Sequence, residues 1–311
     1  MRVVVAGGAG FIGVALCSRL LERGEDVVCV DNLVTGSSNN VKHLLGWDRA
    51  TFIEADIGSE VTVDGPVDAV INLACPASPA DFGPLALEIL DVGSRGLRHL
   101  LDLAGRHQAT FLQASTSEVY GEPLIHPQPE SYWGNVNPIG PRSVYDEAKR
   151  FGEALVTAYG RTRQLDVRIA RIFNTYGPGM RADDGRVVSN FVNQALRGEP
   201  LTVYGDGSQT RSFCYVDDEV TGLLALLESS YRAPVNIGND DERSMLEVAQ
   251  LVLDLSGSTA GIVFKDRPVD DPSQRCPDLT VARQELGWEP ATSLRDGLAR
   301  TISWFKDRSH R

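Results

Sequence analysis

Arg2-Val3-Val4-Val5-Ala6-Gly7-Gly8-Ala9-Gly10-Phe11-Ile12-Gly13 is the stretch whose reading decides the fold. An unbroken β-branched run reads as a strand buried on both faces, and the glycines after it open into a helical pattern over 11–23. Gly7 permits a tight turn, Gly10 lets backbone approach a pyrophosphate, and Gly13 lets the helix pack on the sheet with its first amides facing phosphates. Phe11 and Ile12 start that helix. A glycine pattern alone is weak evidence for a cofactor. Here Asp31 closes the next strand-like run, 27–30, where a carboxylate accepts from adenosine ribose hydroxyls and repels a 2′-phosphate. Asn32, not arginine, follows, so NAD is expected over NADP. Asp56 and Ile57, after a third run at 51–54, fall beside the adenine. An isolated aspartate more often caps a turn, but two at successive strand ends point to binding.

Outward from this loop, strand-like runs at 67–73, 110–114 and 167–172 alternate with helical patterns over 84–105 and 143–160. This βαβ rhythm predicts an α/β, Rossmann-type doubly wound parallel sheet over residues 1–175. After Pro178 the elements shorten, with helices expected near 187–197, 216–229, 244–255 and 294–306 and strands near 201–204 and 235–238. They predict a smaller C-terminal α/β substrate lobe over 176–311, some segments of which return to the first domain.

The 311 residues carry a formal charge of -12, which argues against nucleic acid or an anionic membrane as partner. Cys17, Cys29, Cys75, Cys214 and Cys276 are odd in number and form no CxxC, and the five histidines lack metal-ligand spacing. A reduced, metal-free cytoplasmic protein is expected. Met1 leads straight into the first strand, so no targeting segment is expected, and no apolar run approaches the roughly 18 to 20 residues of a membrane span.

Tyr145-Asp-Glu-Ala-Lys149 and Ser115-Thr116-Ser117-Glu118 carry the chemistry. Lys149, one helical turn beyond Tyr145, is expected to favour the phenolate of a catalytic base and to hold the nicotinamide ribose. By itself the pair is more often a surface i,i+4 contact. After a dinucleotide loop and a strand-ending Ser-Thr pair it reads as catalytic. Thr116 then binds the hydroxyl that loses its proton. Glu118 is a carboxylate that plain alcohol oxidation does not require.

In this order the residues resemble the extended short-chain dehydrogenase/reductases that act on nucleotide sugars. Leu73-Ala-Cys-Pro-Ala-Ser-Pro79, Tyr132-Trp-Gly-Asn-Val-Asn-Pro-Ile-Gly140, Arg168-Ile-Ala-Arg-Ile-Phe-Asn-Thr-Tyr-Gly-Pro178 and Gln209-Thr-Arg-Ser-Phe-Cys-Tyr-Val216 are similar to runs of the UDP-glucuronate decarboxylases, the UDP-xylose synthases. The resemblance implies C4 oxidation by NAD, loss of carbon dioxide from the β-keto acid, and C4 re-reduction. It implies catalytic roles for Thr116, Ser117, Glu118, Tyr145, Lys149 and Arg211, with Glu118 and Arg211 acting around C5 and C6. Leu73, Cys75, Ser115, Thr175 and Arg186 are implied on the cofactor side. Pro79, Asn174, Val188, Tyr204, Arg211 and Arg275 are implied at the nucleotide sugar, Arg275 at its diphosphate. Without the resemblance, Arg211 reads as a strand-surface arginine, and Tyr204 equally as a core aromatic.

A nucleotide-sugar 4,6-dehydratase is the main alternative. It needs an acid for the departing hydroxyl, and the resemblance puts an aspartate of dehydratases where this chain has Ser117, a poor acid. A 4-epimerase leaves Glu118 without a task, and a non-catalytic NAD-binding sensor leaves Tyr145 and Lys149 without one. The chain departs from the family pattern at Gly179, Asp91 and Gly93. Helices 84–105 and 143–160 also carry more apolar positions than one buried face requires, including Leu85, Ile89, Leu97, Leu100, Leu101 and Leu103 on the first, and the resemblance implies a homodimer through a four-helix contact.

Overall fold

Val3, Val4, Val5 and Ala6 are fully removed from solvent, as a central parallel strand requires. The computed structural model describes residues 1–309 and sets this strand inside a seven-stranded sheet. In chain order the elements are β1 (Arg2–Ala6), α1 (Phe11–Glu22), β2 (Asp26–Asp31), α2 (Ser38–Leu44), β3 (Ala50–Glu54), β4 (Ala69–Asn72), α3 (Ala86–Asp91), a π turn at Val92–Gly96, α4 (Leu97–His107), β5 (Thr110–Thr116), a 3-10 turn at Ser117–Tyr120, α5 (Ser143–Arg163) and β6 (Val167–Ile172). They continue as β7 (Thr175–Tyr176), α6 (Val187–Arg197), β8 (Leu201–Tyr204), β9 (Thr210–Ser212), β10 (Cys214–Tyr215), α7 (Val216–Glu228), β11 (Pro234–Ile237), β12 (Glu242–Ser244), α8 (Met245–Ser256), β13 (Ile262–Lys265), β14 (Gln274–Arg275), α9 (Thr280–Leu286) and α10 (Leu294–Ser309).

The sheet order is β11-β6-β5-β4-β1-β2-β3, and every pairing in it is parallel. Chain order reverses direction at β1, and ligands of such sheets bind beyond the carboxyl ends of the strands at that switch point. One face is covered by α1 and α7, whose Leu16, Leu20, Val220, Leu223 and Leu227 share a core. The other is covered by α4 and α5 through Leu97, Leu100, Leu101 and Val156. A third core joins α6, α8 and α10 through Val192, Val248, Val252, Leu298 and Ile302. β11 returns to the first sheet, pairing Pro234 to Ile169 and Ile237 to Ile172.

The helix expected over 84–105 is interrupted by the π turn. A Cβ on Gly93 would stand 2.7 Å from Ala148 Cβ, and one on Gly96 2.9 Å from Ile57 Cγ1. Two glycines therefore let this segment touch α5 and the loop after β3, and the extra residue of the π turn absorbs the bend. The apolar residues read as surplus are not spare: Ile89, Leu97, Leu100, Leu101 and Leu103 are buried in the chain's own core, and Leu85 packs against it. What these helices expose is Leu87, Leu90 and, on α5, Phe151. Among the described residues no helix is long and apolar enough to cross a membrane.

Candidate active site

A cavity of about 890 Å³ opens at the carboxyl edge of the sheet, between it and elements that follow Pro178. Every cofactor-side and substrate-side residue expected above lines it except Arg275.

At one end the glycine loop makes the floor. Gly7 has φ of +77°, its N–H donates to Val30 O at 2.8 Å, and a Cβ there would stand 2.7 Å from the Ala74 nitrogen. A Cβ on Gly13 would lie 2.1 Å from Gly7 O, so the turn closes only without side chains. Gly10 caps α1 with no side-chain acceptor, which leaves the first amides of the helix for a ligand anion. Asp31 Oδ2 accepts from Ala9 N–H at 3.0 Å and Oδ1 from Leu33 N–H at 2.8 Å, fixing the carboxylate against the loop. Burial raises its pKa, and those two N–H groups oppose the rise. Asn32 Nδ2 donates to Asp56 Oδ2 at 3.0 Å, joining the ends of β2 and β3. This bare turn, open helix terminus and fixed carboxylate fit a dinucleotide. Arg186 stacks over Phe11, 5.9 Å from the ring centroid.

In the middle, β5 delivers Thr116, whose Oγ1 accepts from Glu118 N–H at 3.3 Å and starts the 3-10 turn. Ser115 Oγ donates to Glu153 Oε1 at 2.6 Å. Tyr145 on α5 meets Thr116 by a side-chain hydrogen bond and stacks on Phe82 at 5.0 Å. Lys149 Nζ donates to Ala114 O at 2.8 Å and lies 5.6 Å from the Tyr145 ring centroid. The expectation that Lys149 depresses the tyrosine is corrected here. Burial, with Cys75 second, pushes the phenol well above its ordinary value, while the ammonium is engaged by a backbone carbonyl over the ring.

Glu118 lies between two guanidinium groups. Arg142 Nη2 donates to its Oε2 at 2.7 Å, and Arg275 Nη1 stands 3.5 Å from its Oε1. Burial opposes ionisation, but Arg275 and Arg142 outweigh it and hold the carboxyl down at about 2. Arg275, expected at a diphosphate, is buried behind this turn. It donates to Ser117 Oγ at 3.1 Å and Gly121 O at 2.7 Å. Arg211, expected with Glu118 around C5 and C6, lines the cavity, adds its charge to those that lower Glu118, and is held by Asp271 at 3.1 Å and by the carbonyls of Thr210 and Pro272 at 2.8 and 2.6 Å. β14 runs parallel to β9 with Arg275 beside Arg211, and it is Arg275 that donates into the 3-10 turn. Tyr204 is 37% exposed at the rim rather than in a core, and Val188 is buried in the wall. Arg142, Asp146 and Phe82 were missed. The signal for Arg142 was available, since a buried glutamate requires a nearby cation and Pro141-Arg142 precede the catalytic helix.

The five cysteines are free, and no metal-holding cluster occurs among the described residues. A Rossmann sheet with this loop and a Tyr-xxx-Lys helix defines a nucleotide-dependent oxidoreductase-type site, and the chain belongs to the NAD dependent epimerase/dehydratase family, whose profile matches residues 3–238. Within that family it groups with the UDP-glucuronic acid decarboxylases. It is 50% identical over 308 residues to UDP-glucuronic acid decarboxylase 1 of Arabidopsis thaliana, covering 99% of this chain and 70% of that one. Similar solved structures include UDP-glucose 4-epimerase of Thermotoga maritima with UDP-glucose, at TM-score 0.92 and 30% identity over 99% of this chain and 100% of that one. Another is UDP-glucuronic acid 4-epimerase of Bacillus cereus with UDP-glucuronic acid and NAD, at TM-score 0.88 and 30% identity, again over 99% and 100%.

Proposed function

We propose that this chain converts UDP-glucuronate to UDP-xylose and carbon dioxide. Bound NAD supplies the acceptor for the hydride of sugar C4 and its donor at the end. The loop of Gly7, Gly10 and Gly13 with Asp31 and Asp56 holds the dinucleotide, and Lys149 holds the nicotinamide ribose. Thr116 binds the C4 hydroxyl and Tyr145, hydrogen-bonded to Thr116, takes its proton; bound NAD, with its positive nicotinamide ring, would supply the charge that favours the phenolate over the buried phenol. The resulting ketone is β to the C6 carboxylate, so the C5–C6 bond breaks with its electron pair entering an enolate, which the Tyr145 phenol and Thr116 stabilise by hydrogen bonds. Arg211, with Asn174, Val188 and Tyr204, holds the nucleotide part, as a guanidinium fork suits phosphate. Arg275 acts as the clamp of Glu118 and Ser117.

The observation that carries this reading is the Glu118–Ser117 turn under Arg275 and Arg142, in a chain half identical to decarboxylases. A dehydratase needs a proton donor here, and a serine beside a carboxylate held at about 2 offers none near neutrality. The epimerases share the shape, but at a much lower identity.

We also propose that residues 1–175, with the returning segment 216–237, form the cofactor domain, and that the rest of 176–311 forms the substrate lobe. A homodimer through α3 and α5 would cover Leu87, Leu90 and Phe151, and a cytoplasmic location suits five free thiols. The deciding experiment offers UDP-glucuronate and, separately, UDP- and dTDP-glucose, with products read by mass spectrometry. The expected result is loss of carbon dioxide from the uronate; loss of water from a glucose, with the uronate untouched, would establish a dehydratase instead.

A further inference from the structure

If the chain is a decarboxylase, as proposed, each turnover consumes a proton that the residues considered so far do not supply. The uronate enters as a carboxylate and carbon dioxide leaves neutral. The electron pair of the broken C5–C6 bond stays on the sugar and is closed by a proton at C5. Tyr145 is no net source, because the proton it takes from the C4 hydroxyl returns to the C4 oxygen when the ketone is reduced. A second acid in contact with solvent is needed.

Behind Glu118 lies a second cavity of about 200 Å³. Liquid water occupies about 30 Å³ per molecule, so several fit. Glu118, Arg142 and Pro272 line both cavities and so stand between them. The rear chamber is also lined by Asp146, Asn135, Val136 and Asn137. Asp146 follows Tyr145 on α5, is only 6% exposed, and its Oδ1 has no hydrogen-bond partner among the described residues. Glu118 of the 3-10 turn, Arg142 at the start of α5, Glu147 on the same helix and Arg275 of β14 bear on it, and Glu122 and Asp270 line the chamber with it.

We propose that the rear chamber is the proton inlet of the active site and Asp146 its donor. The Asp146 O–H bond breaks, the proton crosses water at the Glu118 partition, and the enolate pair forms the C5–H bond; solvent in the chamber then reprotonates the Asp146 carboxylate. The electrostatics suit the role. Burial and the Glu118 charge push Asp146 up to about 7, so it keeps a proton well above the ordinary carboxylate range. Glu118, held at about 2, is too acidic to store one.

The test compares wild type, Asp146→Asn, Asp146→Glu and Val136→Phe for UDP-xylose formation, for the absorbance of reduced nicotinamide during turnover, and across pH. In wild type kcat should fall as pH rises through about 7. Asp146→Asn should lower kcat about a hundredfold, flatten that profile, leave KM unchanged and accumulate reduced nicotinamide, because re-reduction waits for the C5 proton. Formate, small enough for the chamber, should restore part of the rate, and Asp146→Glu most of it. Val136→Phe narrows the chamber without altering a charge and should slow turnover in the same way. If wild type makes UDP-xylose while Asp146→Asn and Val136→Phe keep its kcat and pH profile, the inlet is refuted alone. If Asp146→Asn does not fold, Val136→Phe and the wild-type profile decide. A wild-type enzyme that makes no UDP-xylose refutes the decarboxylase reading as well.

Discussion

Glu118 keeps its charge in a buried position because Arg142 and Arg275 approach it from distant parts of the chain. Removing one partner of a buried ion pair strands the other, which costs about 3–5 kcal/mol, whereas removing both can be nearly neutral. Removing both cations, Arg142→Met with Arg275→Met, should therefore strand Glu118 and destabilise the fold by about that amount in denaturant titration, and adding Glu118→Gln should recover most of the loss. A triple variant no more stable than the double one would refute the pairing. The sign with pH follows from a depressed carboxyl. The stabilisation by Glu118 is present above the ordinary carboxylate value of about 4.5 and is lost as pH falls through about 2.

Helix α7 carries a different carboxyl problem. Glu219 is fully buried, accepts from Thr175 Oγ1 at 3.1 Å through Oε2, and leaves Oε1 without a partner among the described residues. Burial pushes its carboxyl well above the ordinary value, so its contribution is fully present below about 4.5 and is lost as pH rises towards the folded value. Glu219→Gln, which keeps the size and cannot ionise, should raise Tm, and by more at pH 9 than at pH 5; a gain independent of pH would contradict the titration. The existence of α7 was legible in its apolar spacing over 216–229, as was the strand–helix rhythm that produces the main sheet. The buried glutamate was not, because a single acid on a helical pattern reads as solvent-facing. Neither were β9, β12 and β14, which are two or three residues long and polar, so that no periodicity can register. The glycine loop and Asp31 were readable because their demands are local. The Arg275 contact was not, since it joins positions 158 residues apart and depends on strand register.

At the scale of the molecule, Leu87 and Leu90 of α3 and Phe151 of α5 are exposed apolar residues on two helices that run side by side. Leu87 is 77% and Phe151 50% exposed, although the leucines first read as surplus belong to the chain's own core. Leu87→Glu combined with Phe151→Glu should turn the proposed dimer into a monomer in sedimentation at micromolar concentration with the fold intact; a mass the same as wild type would refute the proposed interface. The position of Arg275 also bears on how the protein is made. Ribosomes extend a chain by about 5–20 residues per second. The glycine loop, β5 and α5 therefore emerge seconds before the guanidinium that partners Glu118, and a nascent chain can house its cofactor before it can complete its reaction centre. The guanidinium clamp on Ser117 and Glu118 can close only after synthesis has passed β14.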